Sequence, residues 1–243
     1  MALTPREVTV TTADGPMPAL LWHPDPQVPR PGLVVMQEIF GLSDYVLERC
    51  AALADLGYAV LAPQFYWRQG GEVVRDDDPG FLERAMGLVQ QTDWDAAVAD
   101  GIAAAEHLDE TEGITEVGLV GFCWGGGLAF NVAAELEGGS TPSGLVSYYG
   151  SALPQLIDLA PEVTCPSLHH FGTADAYIPL DQVERIRAAV TDGGARDDVE
   201  LNLYEGAGHA FDNPHPLFHH SQASEEAWER TEDWLLRHLP VPL

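Results

Sequence analysis

The sequence predicts a three-layer α/β domain, a mostly parallel central sheet with helices on both faces. Three observations carry this reading. Short apolar runs recur at 32–37, 58–63, 116–122, 144–150, 166–172 and 199–205; several of them are too continuous for half-solvated strands and suit strands covered on both faces. Helix-like patterns lie between most of them, so strand and helix alternate as in βαβ units. No stretch is rich enough in Pro, Gly or Ser to divide the chain, and 243 residues that are 46% apolar supply a sizeable core. Residues 1–243 therefore read as a single domain.

The elements follow in order. "REVTVTT" (6–12) alternates as a half-buried strand does, and "ADGPM" turns the chain into "PALLWH" (18–23), its antiparallel partner. "GLVVMQ" (32–37) is the first inner strand. Ser43 offers an N-cap for a helix reaching Leu56, where Gly57 stops it. "YAVLAP" (58–63) is the next inner strand, and 64–80, with no clear period, reads as a loop over the sheet edge. Helices are expected over 80–91 and 93–108, then the strand "EVGLVGF" (116–122) and a helix over 124–136. "GLVSYYG" (144–150), "PSLHHFG" (166–172) and "VELNLYE" (199–205) are strands, while 180–190 and 220–238 are helices.

Eleven basic residues, none of them lysine, face 38 acidic ones, a formal charge of −27. That balance excludes nucleic acid as a partner, which needs a basic patch, and disfavours anionic ligands. No run of 18 apolar residues appears, so no membrane partner is expected. "MALTPREVTV" lacks the layout of a secretory signal, which makes the cytoplasm the expected location. Cys50, Cys123 and Cys165 form no CxxC pair, and His215, His219 and His220 match no metal-site spacing. No metal and no cofactor is expected, and the chain is read as a monomer or homodimer.

The chemistry centres on "GLVGFCWGGGLAF" (118–130), where Gly121-Phe122-Cys123-Trp124-Gly125 spells G-x-C-x-G. With serine in the middle, this frame is the strand-to-helix elbow that exposes a nucleophile. Alone it reads equally well as a buried cysteine beside a tight turn. The following helix start would aim backbone N–H groups and positive dipole at the thiol, favouring thiolate. Partners come in the order of the α/β-hydrolase arrangement, nucleophile then acid then histidine. "FGTADAYIP" (171–179) places Asp175 just after a strand, and "YEGAGHAF" (204–211) places His209 just after the last one. Both lie at the carboxyl ends of predicted strands, where open parallel sheets build their sites. Cys123, Asp175 and His209 are the candidate catalytic residues.

These stretches resemble the dienelactone hydrolase family of α/β hydrolases. The likeness rests on the cysteine elbow, on the histidine loop Gly206-Ala207-Gly208-His209-Ala210-Phe211, on "MQEIFGL" (36–42) and on "LAPQFYWRQG" (61–70). It implies the α/β-hydrolase fold and a small-molecule ester or lactone as substrate. It also implies a role for Glu38: the matching glutamate contacts the resting thiol and helps it lose its proton when substrate arrives. A nearby carboxylate disfavours thiolate, which protects a resting thiol from oxidation. The backbone N–H groups of Ile39 and Trp124 are the expected oxyanion hole, one from the loop and one from the elbow.

The chain departs from the family at one point. Members specialised for the dienelactone hold its carboxylate with arginines, one of them shortly after the catalytic histidine. Here that loop reads His209-Ala210-Phe211-Asp212-Asn213-Pro214, without arginine. Arg68 and Arg84 are the remaining candidates for that task, with Phe40, Tyr149 and Phe211 as candidate pocket residues and Tyr148, Trp67 and Phe65 lining or supporting the pocket. Two other function classes compete: a catalytically silent α/β-hydrolase fold that only binds, and a thiol-dependent acyl transferase or redox protein. Silent relatives usually lose a triad residue, and a redox protein would place a resolving cysteine nearby.

Overall fold

The computed structural model describes residues 3–75, 77–136 and 141–242. Its sheet has eight strands: β1 (Arg6–Thr12), β2 (Gly15–Trp22), β3 (Arg30–Met36), β4 (Ala59–Pro63), β5 (Ile114–Phe122), β6 (Gly144–Tyr148), β7 (Ser167–Gly172) and β8 (Val199–Tyr204). They lie in the order β1-β2-β4-β3-β5-β6-β7-β8. β1 and β2 form the expected hairpin, and β2 joins β4 antiparallel. Every pairing from β4 through β8 is parallel. β3, β4, β6 and β7 are buried along their whole length, which is why apolar residues run through β3, β4 and β6 without alternation, while β7 buries Ser167, His169 and His170.

The helices are α1 (Asp44–Asp55), α2 (Phe81–Gln91), α3 (Trp94–Asp109), α4 (Trp124–Glu135), α5 (Leu153–Leu156), α6 (Leu180–Val190) and α7 (Ser221–His238). Side-chain alternation shows which face each covers. Leu33, Gly118 and Gly144 are register partners and so point to one face. There Gly118 and Gly144 come up against Leu239 and Trp234, at and just past the end of α7. Gly32, one residue from Leu33, points to the opposite face, against Leu108 of α3. α3 packs on α4, while α1 is tied to α7 by a hydrogen bond from Arg49 to Ser224. The sheet is thus covered on both faces. Among the described residues no helix is long and apolar enough to cross a membrane.

The structure differs from the sequence reading at four places. Ser43 occupies the N-cap of α1, yet its hydroxyl has no partner; Asp44 in the first turn supplies the favourable negative charge instead. β6 ends at Tyr148 because Tyr149 turns away with φ of 38°. The 64–80 loop contains one helical turn, Trp67–Gln69, closed by Gly70 at φ of 86°. Helix α5, followed by a turn over Ile157–Glu162, lies in a connection to which no helix was assigned.

Candidate active site

β5 ends at Phe122 and α4 begins at Trp124, so Cys123 alone makes the turn, at φ 54° and ψ −113°. A non-glycine residue in such a region stores about 1–3 kcal/mol of strain. The surroundings hold it there. The Cys123 N–H donates to the Tyr148 carbonyl at 2.9 Å, and the Cys123 carbonyl accepts from Gly126 and Ser151, both at 3.0 Å. The flanking glycines are a steric requirement. A Cβ on Gly121 would lie 2.0 Å from the Gly125 carbonyl oxygen, and one on Gly125 would lie 2.3 Å from that of Met36. Side chains there would push α4 off the sheet and move the thiol. The amides of Ile39 and Trp124 have no hydrogen-bond partner among the described residues, which leaves both donors free.

The structure brings the three sequence-predicted residues together. Cys123 Sγ lies 3.1 Å from His209 Nε2, and His209 Nδ1 lies 2.7 Å from Asp175 Oδ2. Asp175 is itself oriented: its Oδ1 accepts from the backbone N–H of Tyr177 at 2.7 Å and of Ile178 at 3.0 Å. The histidine loop packs hard against the end of β7, since a Cβ on Gly172 would meet the Ala207 carbonyl oxygen at 2.1 Å. The imidazole is flanked by the rings of Tyr149 and Tyr177, with centroids 5.4 and 5.1 Å away. Burial pulls the His209 pKa down, but the neighbouring Cys123 sulfur and the Asp175 carboxylate outweigh it and hold the imidazole well above its usual range. A protonated ring donates from both nitrogens, to sulfur on one side and to carboxylate on the other.

Glu38 is fully buried beside this trio, but it does not take the thiol as a partner. Its Oε2 accepts from Asn213 Nδ2 at 2.7 Å and its Oε1 from the Tyr149 hydroxyl at 3.2 Å. The sulfur is engaged by His209 instead, so the expected resting contact between Glu38 and the thiol is not the arrangement found. Burial pushes the Glu38 pKa up to about 7, against the pull of Asn213, His209 and Tyr149. Between the ordinary carboxyl value of 4.5 and about 7, the folded protein keeps a proton that the unfolded chain has released. Stability contributed by this residue therefore falls as pH rises through that window. Glu38→Gln should leave stability near wild type at about pH 4 and raise it at about pH 8 by up to roughly 3 kcal/mol. Urea unfolding at the two pH values checks this; a difference that does not change with pH would refute the buried, uncharged acid.

The candidate substrate residues divide. Arg68 is held by Asp100 at 2.5 Å and Asp14 at 2.7 Å, beneath the Trp67 ring. Arg84 is held by Glu72 at 2.7 Å and Asp78 at 2.6 Å. Both guanidinium groups are engaged by carboxylates of the protein, so neither serves as a free anion anchor. Phe211 has no exposed surface and packs between Tyr149 and Tyr204; it supports the site from within the core. Tyr149 is equally buried and acts on Glu38 and His209. The Tyr148 hydroxyl bonds to Thr231 and Ala227 of α7, and Phe65 packs edge-on against Trp124. Phe40 does line a cavity of about 180 Å³, with Phe81, Phe218 and Asn213.

His215 stacks between Phe81 and Phe218, and His220 caps α7 by accepting from Ala223 N–H. Four residues of the site escaped the sequence reading: Asn213, Tyr45, Arg49 and Asp212. Tyr45 and Arg49 sit four apart on α1, hence on one face, and Asp212 precedes Asn213. Only folding shows that Arg49, Tyr45 and Ser224 all donate to Asp212.

Comparison with known proteins identifies the family and the fold. The sequence profile of the dienelactone hydrolase family matches residues 17–239. The carboxymethylenebutenolidase of Pseudomonas putida is 35% identical over 233 residues, covering 94% of each chain. A Klebsiella pneumoniae protein assigned as a dienelactone hydrolase superposes with a TM-score of 0.83 at 28% identity, covering 98% of this chain and all of that one. A dienelactone hydrolase-like promiscuous phosphotriesterase from metagenomic libraries shares the fold, with a TM-score of 0.80 at 22% identity over 98% of this chain and 100% of its own. A profile that spans nearly the whole chain, and a relative similar along its full length, carry one conclusion: the chain belongs to the dienelactone hydrolase family and is a hydrolase with the α/β-hydrolase fold.

Proposed function

We propose that this hydrolase cleaves neutral esters or lactones through Cys123, His209 and Asp175, with an acyl-thioester intermediate. The observation that carries the reading is the continuous line from Asp175 through His209 to the elbow sulfur, with separations of 2.7 and 3.1 Å. The Cys123 sulfur attacks the substrate carbonyl carbon, and the developing oxyanion takes the free N–H groups of Ile39 and Trp124. The C–O bond to the leaving group then breaks. The departing alkoxide takes the proton from His209 Nε2, which leaves a neutral imidazole and an acyl-thioester. Water gives a proton to that imidazole as its oxygen attacks the thioester carbonyl. Collapse expels the sulfur as thiolate and regenerates the starting pair. Asp175 fixes the tautomer and ring orientation throughout.

Neutral substrates are favoured because the two candidate anchoring arginines are engaged by carboxylates, the loop after the histidine holds no arginine, and the chain carries −27. Losing a charge-assisted contact costs about 1.5–3 kcal/mol, on the order of 10- to 100-fold. A neutral short-chain ester should therefore exceed the carboxylate-bearing dienelactone in kcat/KM by about tenfold or more, at low and at high salt, and iodoacetamide should abolish turnover of both. A preference for the anionic lactone at both salts would overturn the substrate class, and full activity after thiol blocking would overturn the mechanism.

A further inference from the structure

Two buried carboxylates, Glu38 and Asp212, are joined by two tyrosine hydroxyls. Tyr45 Oη lies 2.5 Å from Asp212 Oδ2 and 3.2 Å from Tyr149 Oη, and Tyr149 Oη lies 3.2 Å from Glu38 Oε1. All four oxygen-bearing groups are buried. The hydroxyl protons can be counted. Asp212 accepts from Arg49 Nε at 2.8 Å, from a second Arg49 nitrogen, from Ser224 Oγ at 2.7 Å and from Tyr45. Every partner reaches it as a donor, so the Tyr45 proton is committed to Asp212. Tyr149 then holds one proton between two acceptors at equal distance, Glu38 and the Tyr45 oxygen. Burial pushes both phenols well above their usual range, so each keeps its proton.

We propose that Tyr149 is a two-way positioning residue for Glu38. Its hydroxyl turns toward Glu38 when that acid is ionised and toward Tyr45 when the acid is protonated, so that Glu38, Tyr149, Tyr45 and Asp212 form one proton-ordered chain. In the protonated state Glu38 donates to Tyr149, Tyr149 to Tyr45 and Tyr45 to Asp212, with every hydroxyl proton placed. In the ionised state Tyr149 donates to Glu38, and the link between the two tyrosine oxygens holds no proton. No covalent bond of either tyrosine breaks; only the Tyr149 hydroxyl rotates. Glu38 thus keeps a hydrogen bond to Tyr149 in both of its protonation states. The other groups facing Glu38 are Asn213, His209 and Asp212 from the histidine loop. The inference rests on the proposed site only for its consequence in turnover.

The test is an infrared pH titration of ligand-free protein, reading the carboxylic-acid carbonyl band that disappears in Glu38→Gln. Tyr149→Phe removes the donor to the ionised acid and should raise the Glu38 midpoint by about one unit. Tyr45→Phe removes the competing acceptor and should lower it, an opposite sign that a merely structural tyrosine would not produce. Ser224→Ala, which disturbs Asp212 but neither tyrosine, should leave the midpoint in place. In unsubstituted protein the tyrosine C–O bands should shift at the same midpoint as the carboxyl band, a readout that needs no variant to fold. An unmoved or raised midpoint in Tyr45→Phe, or tyrosine bands that ignore the Glu38 titration, would overturn the proposal. Running the titration in Cys123→Ala as well separates it from the proposed mechanism, since that variant should lose hydrolysis and keep the coupled titration.

Discussion

Cys123→Ala is expected to lower kcat/KM for a short-chain ester by on the order of 10⁴-fold or more while the fold is kept. The substitution removes the sulfur that faces His209 Nε2 at 3.1 Å and nothing else from the site. Folding should survive because the elbow is held by backbone bonds, from Cys123 N–H to Tyr148 and from Gly126 and Ser151 to the Cys123 carbonyl, none of which needs the thiol. A residual rate above uncatalysed hydrolysis is expected from the Ile39 and Trp124 amides alone. Steady-state kinetics with circular dichroism on the same sample decides the matter. A well-folded variant that keeps more than about a tenth of the wild-type rate would show that Cys123 is not the nucleophile.

His209→Ala should cripple turnover to a similar degree, because the base and the nucleophile act as one unit. The double variant with Cys123→Ala should be little worse than either single one, whereas multiplicative losses would place His209 outside the reaction. A second readout separates a catalytic histidine from a structural one. The adjacent sulfur and the Asp175 carboxylate raise the His209 pKa against burial, and the imidazole is the basic group in contact with the thiol. Removing it should slow iodoacetamide alkylation of Cys123 near neutrality by about tenfold or more, because the thiolate is the reactive form and the imidazole is its proton acceptor. An unchanged alkylation profile would mean that the imidazole does not activate the sulfur.

Residues with steric or periodic signatures were legible in advance. The elbow could be read from Gly121, Cys123 and Gly125 because the turn between β5 and α4 admits no Cβ at either glycine. Asp175 and His209 could be read because each follows a strand in a parallel sheet, and strand carboxyl ends share one rim. Helix α6 was legible to the residue, since Val183, Ile186 and Val190 bury one face at helical spacing. The missed α5 is a single short turn, too brief to show a period.

What lay outside the sequence was the partner of the remaining polar side chains of the site. Arg68 and Arg84 looked like anchors until folding placed Asp100 and Asp14 beside one, and Glu72 and Asp78 beside the other. Glu38 looked like the partner of the thiol until Asn213 and Tyr149 took both its oxygens. Strand and helix patterns depend on which face of a local element is buried, a property of neighbouring residues that composition and spacing record. Some hydrogen bonds in this site join residues more than a hundred positions apart, as Tyr45 to Tyr149 and Glu38 to Asn213 do, and no local pattern records them. The sequence by itself determined the fold, the elbow and the order of its three candidate catalytic groups; only tertiary packing decided which buried acid meets which donor, because that choice depends on angles and distances of a few ångströms across separate elements.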